Sequence, residues 1–217
     1  MSPGYYSNVY WHFTGSPRNI DWSKVKNPSD ILLNDSPKTE EESLSVLREI
    51  LNTKMLKATT REKITDNLYT RKYCSVCDIP LKDLYYHSEY YGKVAIGFKG
   101  KAVQKKFNPV LYLDYKKLKQ LRNYLKDLNY TKLQTGSALS FDLLKDYIKI
   151  TSFDKNPNKT FYKEREWRCI GNFLFKMAEI SAIIVGKESV SKARKYLNEN
   201  KYGDSIPIIT WELIGDS

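Results

Sequence analysis

The sequence predicts an α+β fold, a single domain in which a mixed sheet is flanked by helices. Short aromatic and β-branched runs, which are typical of strands, occur in several groups rather than in regular alternation with helices. The stretch 41–56, "EESLSVLREILNTKML", spaces its apolar residues as one face of a helix does. With 217 residues, 41% of them hydrophobic, the chain is large enough to bury a substantial core.

The elements are predicted in order along the chain. A first strand over 9–14, "VYWHFT", precedes a loop rich in Pro, Ser, Asn and Asp, and the helix over 41–56 follows this loop. Acidic residues at the start of that helix and a lysine near its end suit the helix dipole. The next predicted elements are a strand over 73–79, a short helix ending at Gly92, and strands over 93–98 and 109–115.

The second half begins with two predicted helices, around 115–129 and 138–150, which form a helical insertion of about 115–150 within the single domain 1–217. A turn over 154–159 contains Asp, Asn and Pro, the usual turn residues. The predicted elements after it are the "EREW" strand, a strand over 180–186, a helix over 189–200 and a strand over 206–213.

The chain is strongly basic, with a net charge of +11 and an isoelectric point of about 9.3. This charge favours a nucleic acid, a nucleotide or another anionic partner, although lysines spread along a chain can also be simply solvated. No apolar run approaches the length of about 20 residues that spans a bilayer, so we expect no membrane contact. Three cysteines, an odd number, favour a reducing compartment over a disulfide framework, and we predict a cytoplasmic protein.

The candidate catalytic residues lie in the segment 161–171, "FYKEREWRCIG". In a strand, Glu164 and Glu166 would share one face, where their charges repel unless the pair is solvated, matched by cations or used in catalysis. Alternation places Trp167 on the opposite face and Arg168 on the glutamates' own face, so Arg168 can match only one of the two acids. The alternative is a surface strand whose acids are matched by Arg165 and Arg168.

The other candidate functional sites in the sequence are less well supported. His12 stands between aromatic neighbours in the first strand, where a histidine is often an ordinary core residue. Cys74 and Cys77 form C-x2-C and His87 follows, but the chain has no second pair of ligands, so we predict no metal site. A metal-dependent nuclease using Glu164, Glu166 and Asp78 is disfavoured, and the phosphate-binding loop of common nucleotide folds is absent.

The ordered set of motifs resembles the AbiGi-type abortive phage-infection proteins, a bacterial phage-defence family, over residues 9–213. The motifs that carry the resemblance are "WHFTGS", a helix with L-x2-I-L, "CSVCDIPLKDLYYHSEYYGKVAIGF", "NPVLY", "EREWR" and "IIVGK". The resemblance implies a role in abortive infection. It also implies an alternative role as a non-catalytic antitoxin or regulator that binds nucleic acid or a cognate toxin.

More distantly, the layout is similar to DarT-like ADP-ribosyltransferases, which implies an ADP-ribosyltransferase-like fold and NAD as a substrate. The residues that this resemblance selects are His12 and Thr14 for the nicotinamide-side ribose, Tyr90 or Tyr91 for the nicotinamide ring, and Glu166 as catalytic acid with Glu164 beside it. Trp167 and Arg168 are the candidate substrate-binding residues. The implied activity is transfer of ADP-ribose to a nucleic acid or protein acceptor. The sequence departs from the pattern in lacking an NAD-binding arginine at a matching position.

Overall fold

The computed structural model describes residues 8–22, 24–65, 68–121, 123 and 144–215. In this part of the chain the strands are β1 (Val9–Phe13), β2 (Met55–Leu56), β3 (Lys63–Thr65), β4 (Leu68–Tyr69), β5 (Tyr73–Cys77), β6 (Ala95–Lys99), β7 (Asn108–Pro109), β8 (Leu111–Leu113), β9 (Ile148–Ile150), β10 (Glu166–Ile170), β11 (Phe173–Leu174), β12 (Ile180–Val185) and β13 (Ile208–Thr210). The α-helices are α1 (Pro28–Asn34), α2 (Glu40–Thr53), α3 (Leu84–Tyr91), α4 (Gly100–Val103), α5 (Val190–Glu199) and α6 (Trp211–Gly215). Residues 115–121 are also helical.

A seven-stranded sheet with the order β13-β12-β6-β1-β5-β10-β7 forms the centre of the molecule. β12 and β13 are parallel, and the other neighbours pair antiparallel, so the mixed sheet predicted from the sequence is confirmed. β1 and β6 pair at five positions, whereas β1 and β5 pair only where Trp11 faces Cys77. The contact between β1 and β5 is therefore narrow.

Hydrophobic side chains cover both faces of the sheet, because strand residues alternate between faces. On one face Tyr10, Val76 and Ile96 join the apolar stripes of α2 and α5 in a large buried cluster. On the other face Trp11, Phe13 and Ala95 pack with residues of α3 and α6. Helices therefore flank the sheet on both sides, as the sequence predicts.

The long helix α2 shows how local sequence sets an element. Thr39 and Glu42 form a reciprocal capping box at its start, which satisfies backbone N–H groups of the first turn. The helix ends at Lys54, whose φ of 51° is in the left-handed region. The predicted helix over 41–56 also included Met55 and Leu56. These two residues instead form strand β2, which pairs with β11.

Several sequence predictions were wrong in detail. The loop after the first strand contains helix α1, which starts at an Asn27 cap followed by Pro28. The predicted strand over 206–213 is a strand only to Thr210, and Trp211 begins α6. The first six residues of the predicted helix over 138–150 and the end of that over 115–129 lie outside the described residues. Ile148–Ile150, however, are a strand, because they pair in parallel with Leu111–Leu113.

The "EREW" strand also begins later than predicted. Phe161–Glu164 form a 3-10 turn, and Arg165 adopts a left-handed conformation with a φ of 43°, so β10 starts at Glu166. Strand alternation therefore does not relate Glu164 to Glu166. In the described part of the chain, no helix combines the length and the apolar character needed to cross a bilayer.

Candidate functional site

A cavity of about 540 Å³ lies beside the narrow contact between β1 and β5. This volume is within the range of small-molecule sites. Its walls include residues 11–13 of β1 with Thr14 after it, residues 73–77 of β5 and the loop residues 16–18. Acidic, basic and aromatic side chains all line it, including Glu62, Lys149, Glu164 and Glu166. The cavity therefore contains both predicted catalytic glutamates.

Glu164 and Glu166 reach the cavity by a route that the sequence pattern did not predict. Glu164 ends the 3-10 turn and Glu166 begins β10, and the left-handed Arg165 between them interrupts the extended backbone that strand alternation requires. Both glutamates are only 7% exposed. The Arg165 guanidinium pairs instead with Asp78, at 3.0 Å, away from the two glutamates.

Two buried cations neutralise part of this acidic group. The Lys149 ammonium lies 2.9 Å from Glu164 and 3.2 Å from Glu166. The Arg168 guanidinium donates two hydrogen bonds to the Glu166 carboxylate, at 2.9 and 3.0 Å. The expectation that Arg168 matches one acid and leaves the other without a cation was wrong, because Lys149 on β9 contacts both glutamates.

A third carboxylate, that of Glu62, completes the group that we call the acid cluster: Glu62, Glu164, Glu166, Lys149 and Arg168. Glu62 pairs with Arg168 and, at 3.3 Å, with Lys149. Three carboxylates and two cations leave the cluster with a net charge of −1. In a chain of net charge +11, the cluster is a local region of opposite sign facing a cavity.

The pKa values within the cluster diverge. Burial raises the pKa of Glu164, and the neighbouring Glu166 adds to this effect, although Lys149 opposes it. Burial also acts to raise the pKa of Glu62, but Arg168 and Lys149 outweigh it and lower that pKa to about 2. Burial acts to lower the pKa of Lys149, yet the three carboxylates hold it well above its usual value, so the ammonium stays charged. Carboxyls whose pKa values are pushed apart are suited to different roles.

Two tyrosines on neighbouring elements form hydrogen bonds that hold the glutamates in place. The Tyr91 hydroxyl, at the end of α3, donates a hydrogen bond to Glu164 Oε1. The Tyr112 hydroxyl accepts a hydrogen bond of 2.7 Å from the backbone N–H of Glu166. Both tyrosines hold their hydroxyl protons, since burial raises their pKa values well above 10.

The end of β1 and the end of α3 meet at two glycines. A Cβ on Gly15 would lie 2.7 Å from the Tyr91 carbonyl oxygen and 2.8 Å from the Gly92 Cα, too close for any other residue. Gly92 itself has a φ of 85°, in the region that favours glycine. These two glycines follow Thr14 and Tyr91 directly, so their close approach brings both residues to one cavity.

His12 and Thr14 line the cavity from β1 and the residue after it. His12 Nδ1 lies 2.8 Å from the Ser75 carbonyl oxygen, which can only accept, so Nδ1 carries the proton. Burial lowers the pKa of His12, which leaves the ring neutral and makes Nε2 a hydrogen-bond acceptor. The Thr14 hydroxyl donates to the carbonyls of Ser43 and Val94, so its oxygen too is left to accept.

The structure does not bring every predicted site residue to the cavity. The Tyr90 hydroxyl donates to Asn158 at 2.9 Å, and Tyr90 does not line the cavity, whereas Tyr91 does. Trp167 packs edge-on against Tyr10 at 5.2 Å on the other face of the sheet, as alternation predicts. Arg168 is fully buried behind Glu166 and contacts that carboxylate rather than the cavity.

The cysteine pair behaves as an ordinary part of a strand. Cys74 packs in the cluster on one face of the sheet and Cys77 in the cluster on the other, because they are three residues apart. The His87 ring packs between those of Phe13 and Tyr91, with centroids 4.9 and 4.5 Å away, and burial lowers its pKa to about 3. Within the described residues, no group of three or more His, Cys, Asp or Glu side chains is arranged to hold a metal ion.

Sequence reasoning missed Glu62, Lys149 and Tyr112, which all contact the predicted glutamates or their cations. Glu62 precedes β3, Tyr112 lies in β8 and Lys149 in β9, and no local spacing links these residues to 164–166. It also missed cavity-lining cations, Arg18, Lys38 and Lys57. Arg18 pairs with Glu42 at 3.1 Å and Lys57 with Glu49 at 2.5 Å, while Lys38 donates to the Ser16 carbonyl.

A family model described as "Putative abortive phage resistance protein AbiGi, antitoxin" matches residues 53–212. No curated protein matches the chain. Among solved structures, DarT of Thermus sp. 2.9 in complex with NAD+ is 14% identical with a TM-score of 0.44, and the match covers 95% of this chain and 96% of that one. The same protein in complex with ADP-ribosylated ssDNA is 13% identical with a TM-score of 0.43, covering 95% of each chain.

Proposed function

Since this chain belongs to the AbiGi family of abortive phage resistance proteins, we propose that it acts in phage defence as an enzyme that transfers ADP-ribose from NAD to a nucleic acid or protein acceptor. Glu166 is the catalytic carboxylate of this reaction and Glu164 its partner. The observation that carries the proposal is the buried acid cluster at a cavity of small-molecule size, with a net charge of −1 in a basic chain.

The proposed reaction begins with cleavage of the bond between nicotinamide and ribose. The bonding electron pair leaves with the nicotinamide nitrogen, which becomes neutral, and positive charge develops on the ribose ring. A fixed carboxylate beside that ring stabilises the developing charge. Glu166 is suited to this role because Arg168 and Lys149 hold its two oxygens in place, while the cluster as a whole remains negative.

The second step attaches the acceptor. A nucleophilic group of the acceptor forms a bond to the ribose carbon, and its proton passes to a base. Glu164 is suited to accept the proton because burial has raised its pKa. Tyr91 and Lys149 hold the Glu164 carboxylate toward the cavity.

The remaining cavity residues can position NAD. His12 Nε2 and the Thr14 oxygen are acceptors suited to ribose hydroxyl groups. Of the two tyrosines selected by the sequence, Tyr91 lines the cavity, and we assign it the contact with the nicotinamide. The cations Arg18, Lys38 and Lys57 line the same cavity and have the charge needed for the pyrophosphate.

The test is transfer of label from NAD that carries the label in its adenylate. Purified protein is incubated in parallel with DNA, with RNA and with a cell lysate. The variants are Glu166→Gln and, as a matched control, Glu188→Gln at an exposed position outside the cavity. We expect label in one acceptor fraction with the wild type and with Glu188→Gln only. Equal labelling by Glu166→Gln would remove the assignment of the catalytic residue.

A second candidate function is that of a non-catalytic antitoxin, and the description of the matching family contains that word. In this interpretation the acid cluster is a matched structural network, since Lys149 and Arg168 already contact all three carboxylates. The partner would be a cognate toxin or a nucleic acid. Neutralisation of a co-expressed toxin by the Glu166→Gln variant as well as by wild type, without labelling by either, would favour this function.

A further inference from the structure

Lys149 reaches the cavity from outside the seven-stranded sheet. Its strand, β9, pairs with β8 in a small two-stranded parallel sheet. The segment before it is anchored by Asp146, whose carboxylate accepts hydrogen bonds of 2.6 and 2.7 Å from the backbone N–H and the side chain of Arg71. Arg168 donates to the carbonyls of Asp146 and Ile148, at 3.2 and 3.3 Å. Lys149 is therefore held in place by contacts on two residues that precede it, Asp146 and Ile148.

The ammonium of Lys149 has one carboxylate for each of its three N–H bonds. The distances are 2.9 Å to Glu164, 3.2 Å to Glu166 and 3.3 Å to Glu62, and the side chain is 7% exposed. The ring of Phe161 lies 4.3 Å from the nitrogen and closes the remaining side. No other cation contacts Glu164 within the described residues, since Arg168 pairs with Glu166 and Glu62.

Two carboxylates this close to each other in a buried site are ionised together only when a cation lies between them. Lys149 has that position between Glu164 and Glu166. A lysine with a purely structural role would neutralise buried carboxylates that do not line a cavity. Here the ammonium and all three of its acid partners line the cavity themselves.

We propose that Lys149 is a positioning residue that holds Glu164 and Glu166 side by side as paired anions facing the cavity. Its catalytic consequence rests on the proposed function, because only a transfer reaction gives the two glutamates separate roles. The pairing itself does not depend on that function. In the reaction, Lys149 holds the Glu164 carboxylate in place as the base and the Glu166 carboxylate in place beside the ribose.

Several other titratable groups face this pair from the elements around it. Glu62 and Arg168 complete the cluster, Tyr91 and Tyr112 contact the glutamates, and Tyr73 lies against Arg168 with its ring 4.2 Å from the guanidinium. The charges of Glu164 and Asp78 also act on Cys77, and the charge of Lys149 acts on His87. Among these, only Lys149 is a cation in contact with both glutamates at the cavity.

The test compares wild type with Lys149→Met, which removes the charge, and Lys149→Arg, which keeps it. Lys155→Met, at an exposed position, is the control. The first measurement is the titration of ¹³C-labelled glutamate carboxyl groups by NMR, which requires no activity. In Lys149→Met we expect one carboxyl group of the cluster to titrate at a higher pH than it does in wild type. Lys149→Arg should titrate as wild type does.

The second measurement is the pH profile of ADP-ribose transfer. Loss of Lys149 leaves Glu164 protonated to a higher pH, so the acidic limb of the profile moves to higher pH. On that limb the rate falls about tenfold for each unit by which the pH is lowered, as expected for one essential base. An unchanged profile in an active Lys149→Met variant would contradict the positioning role.

The two proposals fail in different ways. Identical carboxyl titrations in wild type and Lys149→Met overturn the inference about Lys149, whatever the activity. A shifted titration with no transfer by wild type supports the pairing and contradicts the proposed function. If Lys149→Met does not fold, the double variant Lys149→Met/Glu164→Gln, which removes one cation and one anion, is expected to fold. A double variant that is no more stable than the single one overturns the inference.

Discussion

Lys149 and Glu164 form a buried ion pair in which the ammonium nitrogen lies 2.9 Å from the carboxylate oxygen, with both side chains less than a tenth exposed. Lys149 belongs to a peripheral strand and Glu164 to the turn before β10, so the pair ties a small parallel sheet to the main sheet. It also explains how two glutamates can stand side by side at a cavity. The stability and the chemistry of the site therefore depend on the same few charges.

Arg168→Met is expected to destabilise the protein strongly. The guanidinium is fully buried and pairs with Glu62 and Glu166, so its removal leaves two buried carboxylates with Lys149 as their remaining cation. Breaking a buried ion pair from one side costs about 3–5 kcal/mol. Urea denaturation at neutral pH measures this loss, with the exposed Lys155→Met as the control. A loss no greater than that of the control would mean that Arg168 carries no structural role.

The contribution of Glu62 is expected to disappear in acid. Its pKa is lowered from 4.5 to about 2 in the folded protein, so its stabilising effect is present above 4.5 and is lost as the pH falls through about 2. At neutral pH the difference corresponds to about 3 kcal/mol. The gap in free energy of unfolding between wild type and Glu62→Gln should therefore be large at pH 7 and close to zero near pH 2. A gap that stays constant with pH would contradict the assigned pKa.

The contribution of Glu164 to stability has the opposite dependence on pH. Because its pKa is raised above 4.5, protonation is easier in the folded state, and its contribution to stability is present below 4.5 and is lost as the pH rises. Glu164→Gln, which is permanently neutral, should gain stability relative to wild type as the pH rises from 4.5. Denaturation curves at several pH values measure the trend. A relative loss over this range would show that Lys149 outweighs burial at this carboxyl.

The two histidines are expected to make the protein less stable in mild acid. Burial lowers the pKa of His12 and lowers that of His87 from 6.5 to about 3, so the unfolded chain binds protons that the folded one does not. Stability therefore falls as the pH drops below 6.5, by up to about 1.4 kcal/mol per pH unit for each histidine. His87→Phe, which keeps a ring beside Phe13 and Tyr91, should reduce this slope. An unchanged slope would contradict the prediction.

Gly15→Ala is expected to disturb the site through the backbone. The added Cβ would lie 2.7 Å from the Tyr91 carbonyl oxygen, so β1 and α3 would have to separate. Overpacking of this kind costs about 1–3 kcal/mol, and Thr14 and Tyr91 would move apart. Gly215→Ala, whose Cβ would meet no atom within 4 Å, is the control and should be nearly neutral. Thermal unfolding compares them, and equal effects would contradict the close approach.

Local patterns predicted most of the sheet and the main helices, because period-2 and period-3.6 spacing of apolar residues depends on neighbours in the chain. They also selected Glu164 and Glu166, although the left-handed Arg165 invalidated the alternation argument that joined them. Glu62 and Lys149 could not be found in this way. They meet the glutamates only after β9 pairs with β8 and the strands of the main sheet assemble, so the fold and not the spacing brings them together.

Glu166 is proposed to promote cleavage of the nicotinamide–ribose bond, and release of nicotinamide from NAD tests this directly, with water taking the place of the acceptor at the ribose carbon. The rate is measured for wild type, Glu166→Gln and the exposed control Glu188→Gln. Loss of a fixed group that stabilises transition-state charge costs about a hundredfold or more in rate. We therefore expect release by wild type and the control, and a rate at least about a hundredfold lower for Glu166→Gln. Equal release by Glu166→Gln, or none from folded wild-type protein, would contradict the account.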